Sequence, residues 1–223
     1  MPTSSAVVDH IMELRKAGRA TMAYFYFDFN DDKKTNFHDA LSSLLTQLAA
    51  HSDNYCDILS RVYERNDNGG STPGTHELVT CFEEMLKLPG QVPVYIILDA
   101  LDECSNTDET PSSRKEVLDL LNHLVDLDLS NLHLCVTSQP ADDIRTALKA
   151  FRMISIQEQN GQKEVIDQYM KDIVYANSDG DIETKNMVVE KRPMACKHVR
   201  GCPSRVLMKP LKNSQRLWTR HMR

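Results

Sequence analysis

VPVYIILDALDEC, residues 92–104, is the stretch that decides the fold. Its residues 94–98 form an apolar run typical of a strand buried on both faces of a parallel sheet. The run ends in three carboxylates, Asp99, Asp102 and Glu103. Clustered acids beside a buried strand are costly unless something neutralises them, and a divalent cation can do so. The stretch therefore predicts that a metal ion or a charged substrate is held at the end of this strand.

Helical and strand patterns alternate on either side of this stretch. The spacing of apolar residues predicts helices at 4–17, 36–50, 54–65, 75–87, 113–126, 141–149 and 161–174. Runs rich in aromatic and β-branched residues predict strands at 21–29, 93–99, 131–140 and 152–157. This alternation indicates an α/β fold in which a parallel sheet carries helices on both faces, three layers in all. In such sheets ligands bind at the carboxyl ends of the strands.

Charge divides the chain into two parts. The net charge is −6, yet no acid follows Glu190, and ten Lys and Arg residues lie in the last 33 positions. We expect a folded domain at 1–178 and a basic, disordered tail at 179–223. The tail is either a basic arm for nucleic acid or acidic lipid, or the product of an intron or a shifted reading frame. Because it lacks clean Lys/Arg blocks, the second reading is favoured, and nucleic acid is not expected as a partner.

Cysteine use and hydropathy predict the compartment. No apolar run approaches the roughly 20 residues that span a bilayer, and the N-terminus lacks the layout of a signal peptide. The six cysteines form no CxxC pair, which is typical of reduced thiols in a cytoplasmic protein. Cys196, His198 and Cys202 match no known zinc-site spacing. We therefore expect a cytoplasmic protein that does not associate with membranes.

The acids and the end of the next strand suit a nucleotide site. Four apolar residues, an Asp, two spacers and Asp-Glu form the layout of an extended Walker B motif. In that layout Asp99 holds Mg²⁺ directly or through water, and Asp102 or Glu103 polarises the attacking water. Thr137 and Ser138 can sense the γ-phosphate through their hydroxyls. The alternatives are that residues 99–103 simply begin a solvated loop and that Ser138 caps the next helix.

Three segments carry a resemblance to a known family: residues 14–59, residues 87–104 with ILDALDEC, and NLHLCVTSQPADDI at 131–144. They resemble the NACHT-type STAND NTPase modules of fungal proteins, often described as nephrocystin-3-like N-terminal domains. The likeness runs from about residue 4 to about residue 175. It implies a P-loop NTPase core of the AAA+ kind that binds Mg²⁺ and ATP or GTP. It also implies a nucleotide-driven switch in repeat-containing proteins of fungal non-self recognition.

The chain departs from that family in its tail, described above, and at two motifs. No GxxxxGK[ST] loop precedes the first helix, so the phosphate cradle and the first strand are expected to be missing, leaving a neighbouring strand edge unpaired. Gln139 stands where the family carries an arginine that suits phosphate charge. We therefore expect weak or absent nucleotide hydrolysis by the chain alone. The alternative is a non-enzymatic interaction module that associates with itself or with intact homologues.

Overall fold

The computed structural model describes residues 2–107, 111–155 and 205–208. The helices are, in chain order, Pro2–Lys16 (α1), Phe37–Ala49 (α2), Asp53–Arg65 (α3), Thr75–Leu86 (α4), Ser113–Asp126 (α5) and Asp142–Ala147 (α6). The strands are Thr21–Tyr26 (β1), Val94–Asp99 (β2), Leu132–Ser138 (β3), Arg152–Ser155 (β4) and Arg205–Met208 (β5). The predicted α/β class is confirmed, and the predicted helix at 161–174 and the Cys196 region lie outside the described residues.

Two of the helices, α2 and α5, begin at residues whose side chains cap them. The Asn36 side chain accepts a hydrogen bond of 2.8 Å from the backbone N–H of Asp39 at the start of α2. Ser112 plays the same part for Lys115 at the start of α5. Each cap satisfies one of the backbone donors that a helix start leaves without an intrahelical partner. These local signals explain why both helices begin within a residue of their predicted positions.

The sheet has the order β1-β2-β3-β5-β4. β1, β2 and β3 are parallel, with Tyr26 opposite Asp99 and Leu98 opposite Val136. β5 is antiparallel to both β3 and β4, so β4 runs in the same direction as β3. The carboxyl ends of β1, β2 and β3 therefore meet at one edge of the sheet.

Alternation along the strands builds two cores, one on each face. The face formed by Met22, Tyr95, Ile97 and Cys135 packs against α1. The opposite face packs against α2, α3, α4 and α5, and its strand residues include Ala23, Phe25, Ile96, Leu98, Leu134 and Val136. Helices thus cover both faces of the parallel part of the sheet, which confirms the three predicted layers. No helix among the described residues is long and apolar enough to cross a membrane.

The free edge of β1 is closed by side chains. Gln47 of α2 accepts a hydrogen bond from the backbone N–H of Tyr24 at 3.1 Å and donates one to its carbonyl oxygen at 2.7 Å. His51 contacts the carbonyl oxygen of Met22 at 3.2 Å through its Nε2. An exposed strand edge is a template for pairing with another chain, and these contacts occupy it.

Two expectations need correction. The strand predicted at 21–29 ends at Tyr26, and Phe29, the last residue of the predicted strand, is 68% exposed. The backbone there leaves the sheet because Asp28 donates its N–H to the carbonyl oxygen of Lys34, which closes a loop. Disorder does not hold for Arg205–Met208, which form β5 inside the sheet. The remainder of the predicted tail lies outside the described residues.

Candidate functional site

The ends of β2 and β3 are joined through Asp99 and Thr137. Both residues lie on the face of the sheet that packs against α1, because they alternate in phase with Ile97 and Cys135. The Thr137 hydroxyl donates a hydrogen bond to the Asp99 carboxylate. Asp99 is only 4% exposed. The predicted metal ligand and one predicted phosphate sensor are therefore in direct contact.

The chain turns sharply after Asp99. Ala100 has φ 55° and ψ 47°, a left-handed conformation that costs an L-residue about 1–2 kcal/mol. Its N–H donates to the Thr137 Oγ1 at 3.0 Å, so one hydroxyl serves both residues. The 3₁₀ turn Leu101–Glu103 follows at once. Strain at Ala100 is offset by this contact, and the turn brings Asp102 and Glu103 to the same edge.

Each carboxylate of the turn has a backbone partner. The backbone N–H of Gln139 donates to Asp102 Oδ1 at 2.7 Å, which joins the turn to the end of β3. The backbone N–H of Phe29 donates to Glu103 Oε2 at 3.3 Å, which joins it to the loop after β1. The segments that follow all three parallel strands therefore meet around these acids. The turn after β2 is thus held by hydrogen bonds to two other segments of the chain.

Burial and neighbouring charges raise the pKa of two side chains at the carboxyl ends of the strands, Glu103 and Tyr26. Burial raises the pKa of Glu103, and the carboxylates of Asp102, Asp28 and Asp99 raise it further, against the lowering effect of the Phe29 N–H. Burial likewise raises the pKa of Tyr26, which lies opposite Asp99 in the register, and the charge of Asp99 adds to the effect. A carboxylate with a raised pKa is better matched to proton transfer near neutral pH.

Arg114, in α5, was missed by the sequence analysis. Its guanidinium donates to the carbonyl oxygens of Asp102 and Cys104, the latter at 3.0 Å from Nη2 and 3.2 Å from Nε. It also forms an ion pair of 3.3 Å with Asp143 at the start of α6. Its side chain is only 14% exposed. The sequence shows only that an arginine lies in the first turn of the helix that follows the loop after β2.

The other predicted residues at the end of β3 behave differently. Ser138 is buried, alternates to the opposite face from Thr137, and donates its hydroxyl to the carbonyl oxygen of Gln139 at 2.7 Å. It does not cap α6, whose N-cap is Ala141. The contact of Gln139 with Asp102 uses the backbone N–H, which every residue except proline could supply. The side chain at 139 is therefore not needed to hold the turn.

The donor set limits which metal site is feasible. Mg²⁺ usually keeps several waters and takes one or two carboxylates together with phosphate oxygens. Across 2–107, 111–155 and 205–208, no group of three or more His, Cys, Asp and Glu side chains is arranged to cage a metal ion. The buried Asp99 carboxylate, with the Thr137 hydroxyl beside it, fits a Mg²⁺ ion that takes most of its ligands from phosphate and water and one from Asp99. It does not fit a cage built by protein alone.

Comparison with known proteins then places the chain. The family model described as Nephrocystin 3, N-terminal matches residues 3–139. The chain belongs to the nephrocystin-3 N-terminal family. The match covers α1 through the end of β3, and so includes Asp99, Asp102, Glu103 and the hydroxyl pair at 137 and 138. Neither the curated proteins nor the solved structures contain a match to this chain.

The residues matched by the nephrocystin-3 N-terminal family model include all the carboxylates of the candidate site. The matched residues end at Gln139, whose N–H contacts Asp102, so the site lies wholly inside the nephrocystin-3-like domain. The strands β4 and β5 lie outside the matched residues. The resemblance found in the sequence is thereby confirmed at the level of the nephrocystin-3 N-terminal family.

Proposed function

We propose that this chain supplies the metal- and γ-phosphate-facing half of a nucleoside triphosphate site in a NACHT/STAND-type switch, of the kind associated with fungal non-self recognition. The observation that supports this most strongly is the hydrogen bond between Thr137 and Asp99. It lies at the carboxyl ends of two adjacent parallel strands, where α/β sheets bind their ligands.

The proposed roles follow from the contacts. Asp99 is the Mg²⁺ ligand, and Thr137 fixes the orientation of its carboxylate. Glu103, with its raised pKa, accepts a proton from the attacking water, while Asp102 anchors the turn through Gln139. Mg²⁺, when bound, supplies charge neutralisation for the phosphates. Ser138 reaches the phosphate only if its hydroxyl leaves the carbonyl oxygen of Gln139.

Binding by this chain alone is expected to be weak. The sequence contains no GxxxxGK[ST] loop, which in P-loop proteins supplies the backbone N–H cradle, the lysine and a metal-binding hydroxyl. Gln139 brings no positive charge to the γ-phosphate, and Arg114 is engaged by two carbonyl oxygens and Asp143. We expect dissociation constants for Mg·ATP and Mg·GTP on the order of millimolar or weaker.

Ligand-observed NMR titration with ATP or GTP and Mg²⁺ tests this function. The native chain is compared with Asp99→Asn, and Asp119→Asn on the exposed side of α5 is the matched control. We expect weak binding that Asp99→Asn abolishes and Asp119→Asn leaves unchanged. Micromolar affinity, or affinity that is indifferent to Asp99→Asn, would contradict the proposal.

A second candidate function is a non-enzymatic interaction module that associates with intact homologues. It is favoured because Asp99, Asp102 and Glu103 each already have a hydrogen-bond donor from the protein, so the turn is held without a ligand. Light scattering on a mixture with a homologue that carries GxxxxGK[ST] separates the two. We expect a complex of the summed mass, whereas independent elution of the two proteins would exclude this candidate.

We place either function in the cytoplasm. Cys81, Cys104 and Cys135 are buried free thiols. Unpaired thiols of this kind are usual in a reducing compartment. Fluorescent tagging of the full chain tests the location, and a signal confined to the secretory pathway would contradict it.

A further inference from the structure

One strand position lies between β3 and β4, and β5 fills it. We call this position the slot. The two strands run in the same direction and follow each other in the chain through α6, yet they do not pair. Between them lies β5, antiparallel to both. Val206 is opposite Thr137 on one side and opposite Ile154 on the other. β4 is thus displaced by one strand position, and the slot has the width of one strand.

The strand in the slot comes from far along the chain. Residues 156–204 separate β4 from β5, although adjacent antiparallel strands are commonly joined by loops of 2–5 residues. Fully extended, such a segment spans up to about 160 Å, enough to reach a neighbouring copy. The strand itself has only four residues, so few backbone hydrogen bonds hold it in place. A short strand on a long connection is well suited to exchange.

The sequence around β5 limits it to one short register. Pro203 and Pro210 flank the segment, and proline cannot donate a hydrogen bond to a strand ladder. Of the residues between them, Val206 is β-branched and suits a strand. The opposite edge of the sheet is closed by Gln47 and His51, so among the described strands the slot is where an added strand gains partners on both sides.

We propose that the slot between β3 and β4 is a strand-acceptor site for the segment Arg205–Met208, and that a copy whose own segment is withdrawn binds the segment of a second copy. Backbone hydrogen bonds to both neighbours provide the affinity, and the flanking prolines set the register. Because the chain's own segment is tethered, it occupies the slot in preference to the segment of a second copy at micromolar protein concentration. The segment Arg205–Met208 therefore keeps the protein monomeric until it leaves the slot. Nucleotide binding is not required.

A single cysteine tests the occupancy of the slot. Met208 is opposite the native Cys135 in the register, and directly opposite residues lie within disulfide range on the same face. Met208→Cys should form a disulfide with Cys135, mapped by mass spectrometry. Leu207→Cys, opposite Val136, is the matched control and should not. Equal cross-linking of both variants, or none of Met208→Cys, would overturn the proposal. Because burial raises the pKa of Cys135 to about 12, a glutathione redox buffer run to equilibrium is used.

The same variant tests exchange between copies. Met208→Cys is unfolded and refolded at increasing protein concentration. We expect the mapped disulfide between Cys135 and the cysteine introduced at position 208 to move from the monomer into a covalent dimer as the concentration rises. A disulfide confined to the monomer at every concentration would show that the slot does not accept the strand of a second copy.

Peptide binding measures the acceptor site itself. Val206→Pro removes a ladder donor from β5 in the full chain, and Val206→Thr, which keeps the donor and the β-branch, is its control. A fluorescent peptide of residues 201–212 should bind Val206→Pro at least tenfold more tightly than Val206→Thr, because the competing tethered strand is lost. Equal affinity, or equal binding of a scrambled peptide, would overturn the proposal. If Val206→Pro does not fold, the refolding experiment decides.

Discussion

The hydroxyl of Thr137 donates to the carboxylate of Asp99 while accepting the N–H of Ala100. This one side chain therefore holds the last residue of β2 and the first residue of the turn, and it joins the end of β2 to the end of β3. The carboxylates proposed to serve Mg²⁺ and the attacking water owe their positions to it. Its replacement is the most informative change to the local structure.

Thr137→Val should lower the free energy of unfolding by about 2–4 kcal/mol, because it leaves a buried N–H and a buried carboxylate without this partner. Thr137→Ser keeps the hydroxyl, loses only a methyl group and should cost about 1 kcal/mol. Urea denaturation measures both. A Thr137→Val protein as stable as Thr137→Ser would show that the hydroxyl does not hold this edge together.

Arg114→Met should lower the free energy of unfolding by about 1–3 kcal/mol, since the carbonyl oxygens of Asp102 and Cys104 lose a charged donor. The neighbouring Lys115→Met is the matched control. Lys115 forms an exposed pair with Asp119, and such pairs contribute less than about 1 kcal/mol. Denaturation curves that give the two variants equal stability would refute the clamping role of Arg114.

Ala100→Gly should leave the free energy of unfolding unchanged or raise it by up to about 1 kcal/mol, because glycine adopts the left-handed conformation without steric cost. Ala40→Gly, within α2, should instead cost about 1 kcal/mol or more. Thermal unfolding of both variants checks this contrast. A loss of stability in Ala100→Gly as large as that in Ala40→Gly would mean that Ala100 is not strained.

Glu103→Gln should be more stable than the native chain at pH 7, by less than about 1 kcal/mol since the site is partly solvated. The folded state raises the pKa of Glu103, so between the ordinary and the raised value it binds more protons than the unfolded state. Stability therefore falls as pH rises through this window. The gain from Glu103→Gln should vanish below the ordinary pKa of the carboxyl group. Denaturation across pH 4–7.5 measures the stability gain of Glu103→Gln, with the exposed Glu64→Gln as control. A gain that does not change with pH would show that it does not arise from the raised pKa of Glu103.

The parallel core could be predicted from the sequence because its signals are local. The apolar run of β2 and the capped, periodic α5 matched their predicted positions to within a residue. The meeting of Asp99 with Thr137 followed from topology, since carboxyl ends of parallel strands share an edge. That inference needed no knowledge of side-chain geometry.

The remaining features depend on contacts between distant residues. Phe29 has the strand propensity of its neighbours, but hydrogen bonds of the following loop end the strand three residues earlier. Arg114 acts through carbonyl oxygens, which carry no sequence signature. β5 has four residues in an aperiodic basic segment, and its partners lie at least 50 positions away. No local pattern marks such a strand.

Paramagnetic broadening by Mn²⁺ in the presence of ATP tests the central claim most directly, because it locates the ion. We expect selective loss of backbone NMR signals around Asp99 and Thr137 in the native chain. The broadening should disappear in Asp99→Asn and persist in Asp119→Asn. Broadening spread over the exposed acids, or unchanged by Asp99→Asn, would contradict a metal site at the end of β2.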